Sequence, residues 1–333
     1  MLQAREGGSE TGGRHAGDGT QLTHGTEPSI WRARLNQCRF LAYALVVAMD
    51  EAAVRRALGE LEEVEDLGGG GQGHVWRVRQ HGQDTVLKVI PGAEDAERVR
   101  REAESLRTIN SPRVMAYHDT TVIEDGGQRW PAIRGEYVPG GTVADALQRN
   151  ERPTVEQALE CVRGVLEGVS AIHSHGLVHR DIKPQNVALR KGDWEQPVVL
   201  DLGLVRDLDN SITRYPEMLG TLPFMAPEQL RLERAVKRTD VFAVGALLMF
   251  ILTRELPYID SQADQGLDSD GLRRAMLARS EQPDWPRWAQ LQGQLDQDVA
   301  ELLALLVTTE AYERPTVERS IELIDEVLAA RSS

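Results

Sequence analysis

The sequence predicts an α+β fold with a small, β-rich lobe followed by a larger, mainly helical lobe. Strand-like alternation of apolar and polar residues dominates from Leu61 to Val138, with one helical pattern between Ala93 and Arg107. Helical patterns dominate after Thr142, and Val241–Leu252 is almost wholly apolar, as expected of a buried helix. The chain has 333 residues, which is long enough for two lobes and a large core.

Composition and charge argue against several classes of protein. The chain has 38 Lys and Arg against 52 Asp and Glu, and the net charge of -14 disfavours nucleic acid or an anionic membrane as the main partner. The longest apolar run, Phe40–Met49, is about half the roughly 20 residues that a membrane span requires. Two cysteines, Cys38 and Cys161, cannot form a disulfide framework, so we expect a reducing, cytoplasmic location.

The N-terminal region lacks the pattern of a folded domain. Residues 1–28 are rich in Gly, Thr, Glu and His without apolar periodicity, which predicts disorder. Ile30–Met49 superficially resembles a signal peptide or an amphipathic anchor, but its charged block lies too far from the start for a normal signal. Alternatively, translation starts at Met49. Residues 1–48 are therefore predicted to be a disordered or non-native extension of undetermined role.

A predicted hairpin between Leu61 and Val78 encloses a glycine cluster. Gly68, Gly70 and Gly73 satisfy G-x-G-x-x-G, and Val75 follows two residues later. Glycines let a backbone approach phosphate groups closely. Taken alone the pattern is weak, because four consecutive glycines satisfy loose patterns by chance. A dinucleotide-binding fingerprint would require a helix after the glycines, and a β-type run follows instead.

The segment H-R-D-I-K-P-Q-N, which begins at His179, is predicted to be a reactive loop. It stands between two apolar runs that we predict as short strands, Gly176–Val178 and Val187–Leu189. A carboxylate in such a loop can accept a hydroxyl proton, an ammonium group can neutralise a phosphoryl group, and an amide oxygen can hold Mg²⁺. The side chains that provide these groups are Asp181, Lys183 and Asn186.

These segments resemble the motifs of eukaryotic-like (Hanks-type) serine/threonine protein kinases. The loop matches H-R-D-x-K-x-x-N position by position, and the lysine two residues after the aspartate is typical of serine/threonine rather than tyrosine kinases. Asp201-Leu202-Gly203 resembles D-F-G with leucine for phenylalanine, and Ala226-Pro227-Glu228 resembles A-P-E. A polar turn between strands is the alternative interpretation of the loop, and these downstream partners disfavour it.

The resemblance implies how the reaction is catalysed. Asp181 would accept the proton of the acceptor hydroxyl, and Lys183 would offset charge on the transferred γ-phosphoryl group of ATP. Asn186 and Asp201 would hold Mg²⁺, with Mn²⁺ as a possible substitute. Thr221 would hydrogen-bond near Asp181 and Lys183 on the acceptor side.

The helix predicted over Ala93–Arg107 offers two candidates for the ion-pair partner of Lys88. The resemblance implies that Lys88, in the predicted strand Thr85–Ile90, holds the α- and β-phosphates. Glu102 is our preferred partner for it. Glu104 is the competing candidate, but it lies on nearly the opposite side of the same helix, so only one of the two can face the site.

The resemblance also implies that ATP lies between the lobes. The glycine loop, Val75 and Val86 would cover it, and backbone groups of the hinge at Glu136 and Val138 would bind adenine. Val86 stands where the family usually has alanine and could lower nucleotide affinity. Gly135 stands where the family has a larger side chain, so either a pocket opens behind adenine or the register differs by one residue.

Three further features would complete the family pattern. A polar segment after Asp201 resembles an activation loop, with Ser211 or Thr213 as the site of autophosphorylation and Arg180 as a partner for the phosphate. Glu228 would pair with Arg314, and Asp240 would bond the backbone of the reactive loop.

We therefore predict a kinase domain over residues 58–330, with an N-lobe at about 58–137 and a C-lobe at about 139–330. The function would be ATP- and Mg²⁺-dependent phosphorylation of Ser or Thr in a protein substrate, with a homodimer possible. The alternatives are a nucleotide-binding pseudokinase scaffold and a small-molecule phosphotransferase. The protein substrate, the pathway and the activating signal stay open.

Overall fold

The computed structural model describes residues 50–70, 73–90, 99–100, 103–104, 106–200, 221–282 and 294–332. The predicted disorder of residues 1–28 and the assignment of residues 1–48 lie outside these ranges. The architecture of the described residues is a β-rich lobe followed by a helical lobe, which confirms the predicted α+β fold.

The small lobe is built on one antiparallel sheet of five strands. Its strands occur in the order β1-β2-β3-β5-β4, so every neighbouring pair except β3 and β5 is also adjacent in the described sequence. The strands are β1 Glu63–Gly70, β2 Gly73–Gln80, β3 Gln83–Val89, β4 Tyr117–Asp125 and β5 Gln128–Glu136.

A short helix that the sequence analysis did not predict covers one face of this sheet. Helix α1, Glu51–Leu58, begins where the side chain of Asp50 accepts a hydrogen bond from the backbone N–H of Ala52. Its Ala53 and Val54 are fully buried against a cluster from the sheet. That cluster contains Trp76, Val78, Leu87, Val89, Ile123 and Ala132. Because α1 covers this face, the site has to lie on the other one.

The large lobe packs around two long helices. Helix α3, Val155–Ser174, begins at a capping box in which Thr154 and Gln157 bond each other's backbone N–H. The apolar residues at helical spacing in this helix are buried; they are Ala158, Val162, Val165, Leu166, Val169 and Ile172. The helices are α2 Val143–Gln148, α3 Val155–Ser174, α4 Pro227–Leu230, α5 Lys237–Thr253, α6 Ser269–Ser280, α7 Gln297–Leu306 and α8 Val317–Arg331.

The structure corrects the predicted start of the buried helix. Helix α5 begins at Lys237, so Asp240 lies in its first turn rather than opening it. The reason is the side chain of Thr239, whose hydroxyl accepts a hydrogen bond from the backbone N–H of Val236 and so caps the helix earlier. Every residue from Thr239 to Ile251 is buried, as the apolar run predicts.

The prediction of two strands beside the reactive loop is correct for one of them and wrong for the other. Val187–Leu189 forms strand β6 and pairs with β7, Pro197–Val199. The stretch Gly176–Val178 is not a strand, because residues up to Gly176 still form the turn that ends α3, where its N–H bonds the carbonyl of His173. Only two residues then remain before His179.

Two expectations about the environment of the chain can be compared with the described residues. Among them, no helix combines the length and apolar character that crossing a membrane requires. Cys161 is a free thiol packed inside α3, and burial raises its pKa to about 12. It therefore behaves as an apolar packing residue rather than as a nucleophile. Cys38 lies outside the described residues.

Candidate active site

The reactive loop is anchored to the core by one buried carboxylate. Oδ2 of Asp240 accepts the backbone N–H of His179 at 2.9 Å, and Oδ1 accepts the N–H of Arg180 at 2.7 Å. Asp240 is fully buried and also bonds Nε2 of His173 at 2.8 Å. The predicted contact of Asp240 with the loop backbone is therefore present. The contribution of His173, from helix α3, was not predicted.

The ring of His179 is fixed by its two partners. Its Nε2 lies 2.8 Å from the carbonyl oxygen of Leu200, which can only accept, so Nε2 carries the proton. Its Nδ1 in turn accepts the backbone N–H of Asp181 at 3.2 Å. This neutral tautomer satisfies both ring nitrogens of a fully buried residue and holds the N–H of Asp181.

The three predicted reactive side chains converge on one carboxylate oxygen. Oδ2 of Asp181 lies 2.9 Å from Nζ of Lys183 and accepts Nδ2 of Asn186 at 2.9 Å. The same Asn186 nitrogen donates to the backbone carbonyl of Asp181 at 2.8 Å. Nζ of Lys183 also donates to the hydroxyl of Thr221 at 2.8 Å, the contact expected on the acceptor side. All four residues are buried.

Asn186 fits the predicted metal ligand. Both of its side-chain hydrogen bonds use the amide nitrogen, and within the described part of the chain its amide oxygen takes no hydrogen bond. An oxygen held in place in this way suits Mg²⁺, which prefers oxygen ligands. The second predicted ligand, Asp201, lies outside the described residues.

In the small lobe, three predicted nucleotide contacts share one face of the sheet. Val75 of β2 pairs with Lys88 of β3, and Val86 stands two residues before Lys88. Because side chains alternate between faces along a strand, all three project to the same side. This is the face opposite α1. The structure thus places Val75, Val86 and Lys88 on one face of the sheet.

The glycine loop depends on close approach between strands at Gly73. A Cβ at this position would lie 2.2 Å from the backbone oxygen of Val89 and 3.5 Å from Cε of Lys88. Its φ of +131° is in addition outside the range that other residues readily adopt. Gly68, with φ of +96°, lies at a bulge in β1, and Gly70 pairs with Gly73.

Replacing Gly73 by alanine should destabilise the small lobe more than the same change at Gly82. Both glycines have a positive φ, but a Cβ at Gly82 has open space, since no atom lies within 4 Å of it. We expect about 1 kcal/mol of lost unfolding free energy at Gly82 and roughly 2 to 4 kcal/mol at Gly73, where β3 must also shift. Urea denaturation of both variants measures this, and equal losses would contradict the clash.

The hinge residues lie where β5 leaves the sheet. The side chain of Glu136 bonds Arg190 of the large lobe at 2.7 Å, and its backbone N–H bonds the carbonyl of Ala116. Val138 is buried beside Ala188 and Val198. Within the described ranges Val138 makes no backbone hydrogen bond, so its backbone groups suit the predicted contact with adenine.

Met115 occupies the space beside Gly135. A Cβ at Gly135 would lie 3.0 Å from Cε of Met115 and 3.0 Å from the carbonyl oxygen of Ala116. The methionine therefore stands next to the position where the sequence analysis allowed an open pocket. Met115 packs against the same cluster as Val138.

Of the two candidate partners of Lys88, the structure describes only one. Glu102, the preferred candidate, is among the residues that the structure does not describe. Glu104, the competitor, is exposed and pairs with Arg100 one turn earlier at 2.5 Å. Leu106, on the same helical segment, is buried in the main core.

The predicted pair of Glu228 and Arg314 is present, and the guanidinium of Arg314 is fully buried. The two side chains form parallel hydrogen bonds of 2.7 and 2.8 Å. Arg314 also donates to the carbonyls of Thr308, Arg238 and Thr309. Burial alone would raise the pKa of Glu228, but the hydrogen bonds and charge of Arg314 outweigh burial and lower it.

One polar contact at the glycine loop was missed by sequence reasoning. Oδ1 of Asp66 accepts the N–H of Gly68 and bonds Nε2 of His74, each at 2.7 Å. His74 stacks on Trp76 with ring centroids 4.8 Å apart. The contact ties β1 to β2 next to the loop. In the sequence it shows only as an acidic residue before the glycine cluster and a histidine after it.

A β-rich lobe is followed by a helical lobe, and a buried acid, lysine and asparagine lie together on one loop. The family model described as "Protein kinase domain" matches residues 61–324. The chain belongs to this family. The predicted resemblance is thereby confirmed.

Curated relatives and a solved structure agree with this assignment. Serine/threonine-protein kinase PknB of Mycolicibacterium smegmatis is 33% identical over 208 residues, which are 60% of this chain and 33% of that protein. Probable serine/threonine-protein kinase PkwA of Thermomonospora curvata is 34% identical, over 61% of this chain and 27% of that protein. The chain thus spans about a third of the length of such relatives.

The structural comparison concerns the fold. The crystal structure of Rad53 1-466 in complex with AMP-PNP matches with a TM-score of 0.62 and 24% identity. The match covers 79% of this chain and 65% of that chain. It supports the bilobal kinase architecture that the strands and helices define.

Proposed function

We propose that this protein is an ATP- and Mg²⁺-dependent serine/threonine protein kinase. The observation that carries the proposal is the buried cluster in which Lys183 lies between the carboxylate of Asp181 and the hydroxyl of Thr221, at 2.9 and 2.8 Å. A base, a cation and an acceptor-side hydroxyl are thereby held within one hydrogen-bonded group. The names of the curated relatives support the same activity.

Each of these residues has a distinct role in the transfer of the phosphoryl group. Asp181 accepts the proton of the acceptor hydroxyl as the phosphoryl group transfers. Lys183 and Lys88 offset negative charge on the phosphates. Asn186 and Asp201 would hold Mg²⁺, which would neutralise part of the phosphate charge. Asp240 keeps the loop backbone rigid so that the base does not reorient during the reaction.

ATP as the phosphoryl donor is supported by both lobes. On the small-lobe side, Gly73 lets β2 lie close to β3, and a Cβ added at Gly73 would be 3.5 Å from Cε of Lys88. On the hinge side, Val138 offers its backbone groups. The matched crystal structure of Rad53 is a complex with AMP-PNP, which supports a nucleotide donor here.

Two alternatives are disfavoured by particular residues. A pseudokinase scaffold would not need the Asp181 and Lys183 cluster, which is intact. A small-molecule phosphotransferase shares the lobes and the metal chemistry, but Thr221 bonded to Lys183 is the acceptor-side arrangement of kinases that act on proteins. A cytoplasmic location and a homodimer stay predictions.

The proposal is tested by offering γ-labelled ATP and Mg²⁺ with either a basic protein or a hydroxylated aminoglycoside as the acceptor. We expect label on the protein and on the chain itself, and none on the aminoglycoside. The Asp181→Ala variant should transfer label neither to the basic protein nor to itself. Label on the aminoglycoside alone would support the small-molecule reaction, and ATP binding without any transfer would support the scaffold.

We also expect activating autophosphorylation at Ser211 or Thr213, both outside the described residues. A phosphate there would introduce a charge that arginine side chains can bond, and such bonds order activation segments. Mass spectrometry of wild-type protein before and after incubation with ATP locates the site. An active enzyme without phosphate at either residue, or unaltered activity in the Ser211→Ala, Thr213→Ala double variant, would rule the prediction out.

A further inference from the structure

Two buried side chains bond the backbone of Arg180, one at its N–H and one at its carbonyl oxygen. Its N–H donates to Asp240 at 2.7 Å, and its carbonyl oxygen accepts Nε2 of Gln229 at 3.0 Å. Arg180 has a φ of +69°, a conformation that residues other than glycine keep only where the surroundings fix it. Asp181 follows directly, so the orientation of the peptide between the two residues sets the direction of the Asp181 carboxylate.

Gln229 uses both ends of its amide. While Nε2 donates to Arg180, Oε1 accepts the backbone N–H of Ala226 at 3.1 Å. The residue is 4% exposed and lies in the short helix α4, directly after Glu228, which pairs with Arg314. A single buried amide therefore connects the start of α4 with the reactive loop.

This connection joins the two sides of the predicted transfer reaction. The segment Thr221–Ala226 leads into α4, and its Thr221 bonds Lys183. The reactive loop contains Asp181. Within the described residues, the Gln229 amide bonds both Ala226 at the end of the first segment and Arg180 at the base of the second, so the two cannot move apart without breaking a buried hydrogen bond.

We propose that Gln229 is a positioning residue for phosphoryl transfer. It fixes the carbonyl of Arg180 and thereby holds the Asp181 carboxylate in a constant position relative to the acceptor-side segment Thr221–Ala226. The inference rests on the proposed function, because the base that it positions is the one assigned there. Gln229 itself need not touch either substrate.

The variant Gln229→Glu replaces the amide N–H donor of Gln229 and keeps its acceptor oxygen. The introduced carboxyl has the same shape and still accepts the N–H of Ala226, but when ionised it cannot donate to the Arg180 carbonyl and repels it. When protonated, the carboxyl can donate its O–H as the amide does. Burial raises the pKa of such a group above the usual carboxyl range.

We therefore expect a defect that depends on pH. At about pH 8 the kcat of Gln229→Glu should be roughly 10- to 100-fold below that of wild type, as is common when a catalytic group is displaced. The ratio of variant to wild type should recover as the pH falls, while KM for ATP stays within about twofold. His179 and Asp181 of the loop and Asp240 of α5 are titratable groups that both proteins share, so the ratio removes their effect.

Gln157→Glu is the matched control. In the capping box of α3, Oε1 of Gln157 accepts the N–H of Thr154 at 3.0 Å, the same role that Oε1 of Gln229 plays toward Ala226. The reactive loop does not bond Gln157 in any described contact. This variant should match wild type at every pH. A loss in Gln229→Glu that is uniform in pH would overturn the inference, because it would indicate a general packing defect.

Hydrogen–deuterium exchange provides a readout that needs no turnover. Without nucleotide, peptides covering residues 178–187 should exchange faster in Gln229→Glu than in wild type at pH 8, and peptides of α3 should not. Unchanged exchange in the loop would overturn the inference. If wild type transfers no phosphate at all, the proposed function fails, and this measurement still decides whether Gln229 holds the loop.

Discussion

Replacing Asp181 by asparagine should reduce kcat by roughly 100- to 10,000-fold, the range in which general bases contribute. The amide can still accept the hydrogen bonds from Lys183 and Asn186, because both reach the same oxygen, Oδ2. It cannot accept a proton. We expect the variant to fold normally and to bind ATP as tightly as wild type, so that the loss appears in kcat and not in KM.

Steady-state kinetics against a basic protein, together with calorimetric ATP binding, measures both parts. Asp193→Asn is the matched control, since Asp193 is an aspartate of the same lobe whose two oxygens bond Glu195 and Gln196 in a surface turn. The control should behave as wild type. A fall of less than about tenfold at Asp181 would mean that another group accepts the proton.

Replacing Arg314 by methionine should lower the free energy of unfolding by about 3 to 5 kcal/mol, the cost of leaving a buried charge without its partner. The guanidinium is fully buried, and its loss strands the carboxylate of Glu228 together with three backbone carbonyls. Chemical denaturation at neutral pH measures the loss. The double variant Glu228→Leu, Arg314→Met should recover part of it, because no charge is then left unpaired.

The effect of Arg314→Met should shrink at low pH. In wild type the pKa of Glu228 is lowered, so the pair contributes stability above the usual carboxyl pKa and loses it as pH falls through the lowered value. In the variant, burial raises the pKa of Glu228, so the stranded carboxylate is neutralised early during acidification. The difference between the two proteins should therefore be largest near pH 7 and smaller near about pH 4, where only the loss of the bonds to the three carbonyls remains.

An exposed arginine serves as the comparison. Arg319 bonds Glu322 and Glu326 on the surface of α8, and Arg319→Met should leave stability unchanged because water screens such pairs. Equal destabilisation by both substitutions would contradict the account of the buried pair.

The reactive loop could be predicted from sequence because its chemistry is contiguous. Asp181, Lys183 and Asn186 lie within six residues of each other, and this local spacing decides which side chains can meet. The long-range partners of the loop were predicted for another reason. Asp240 and Arg314 were placed by the family pattern, whereas their burial and exact bonds come only from the folded structure.

Other features could not be read from the sequence, because their signal is weak or their partner is distant. Helix α1 buries only Ala53 and Val54, too few apolar residues to reveal its amphipathic face. His173 and Gln229 look like ordinary helix residues, and their partners are 67 and 49 positions away. Met115 beside Gly135 likewise depends on how β4 pairs with β5, not on local pattern.

The central claim is that this chain transfers phosphate from ATP to serine or threonine by means of the cluster around Asp181. The most direct measurement is the incorporation of label from γ-labelled ATP into the dephosphorylated wild-type protein, with Mg²⁺ or with a chelator, followed by acid hydrolysis. We predict phosphoserine or phosphothreonine with Mg²⁺, none with the chelator and none in Asp181→Asn. Equal labelling of wild type and Asp181→Asn, or label confined to other amino acids, would contradict the account.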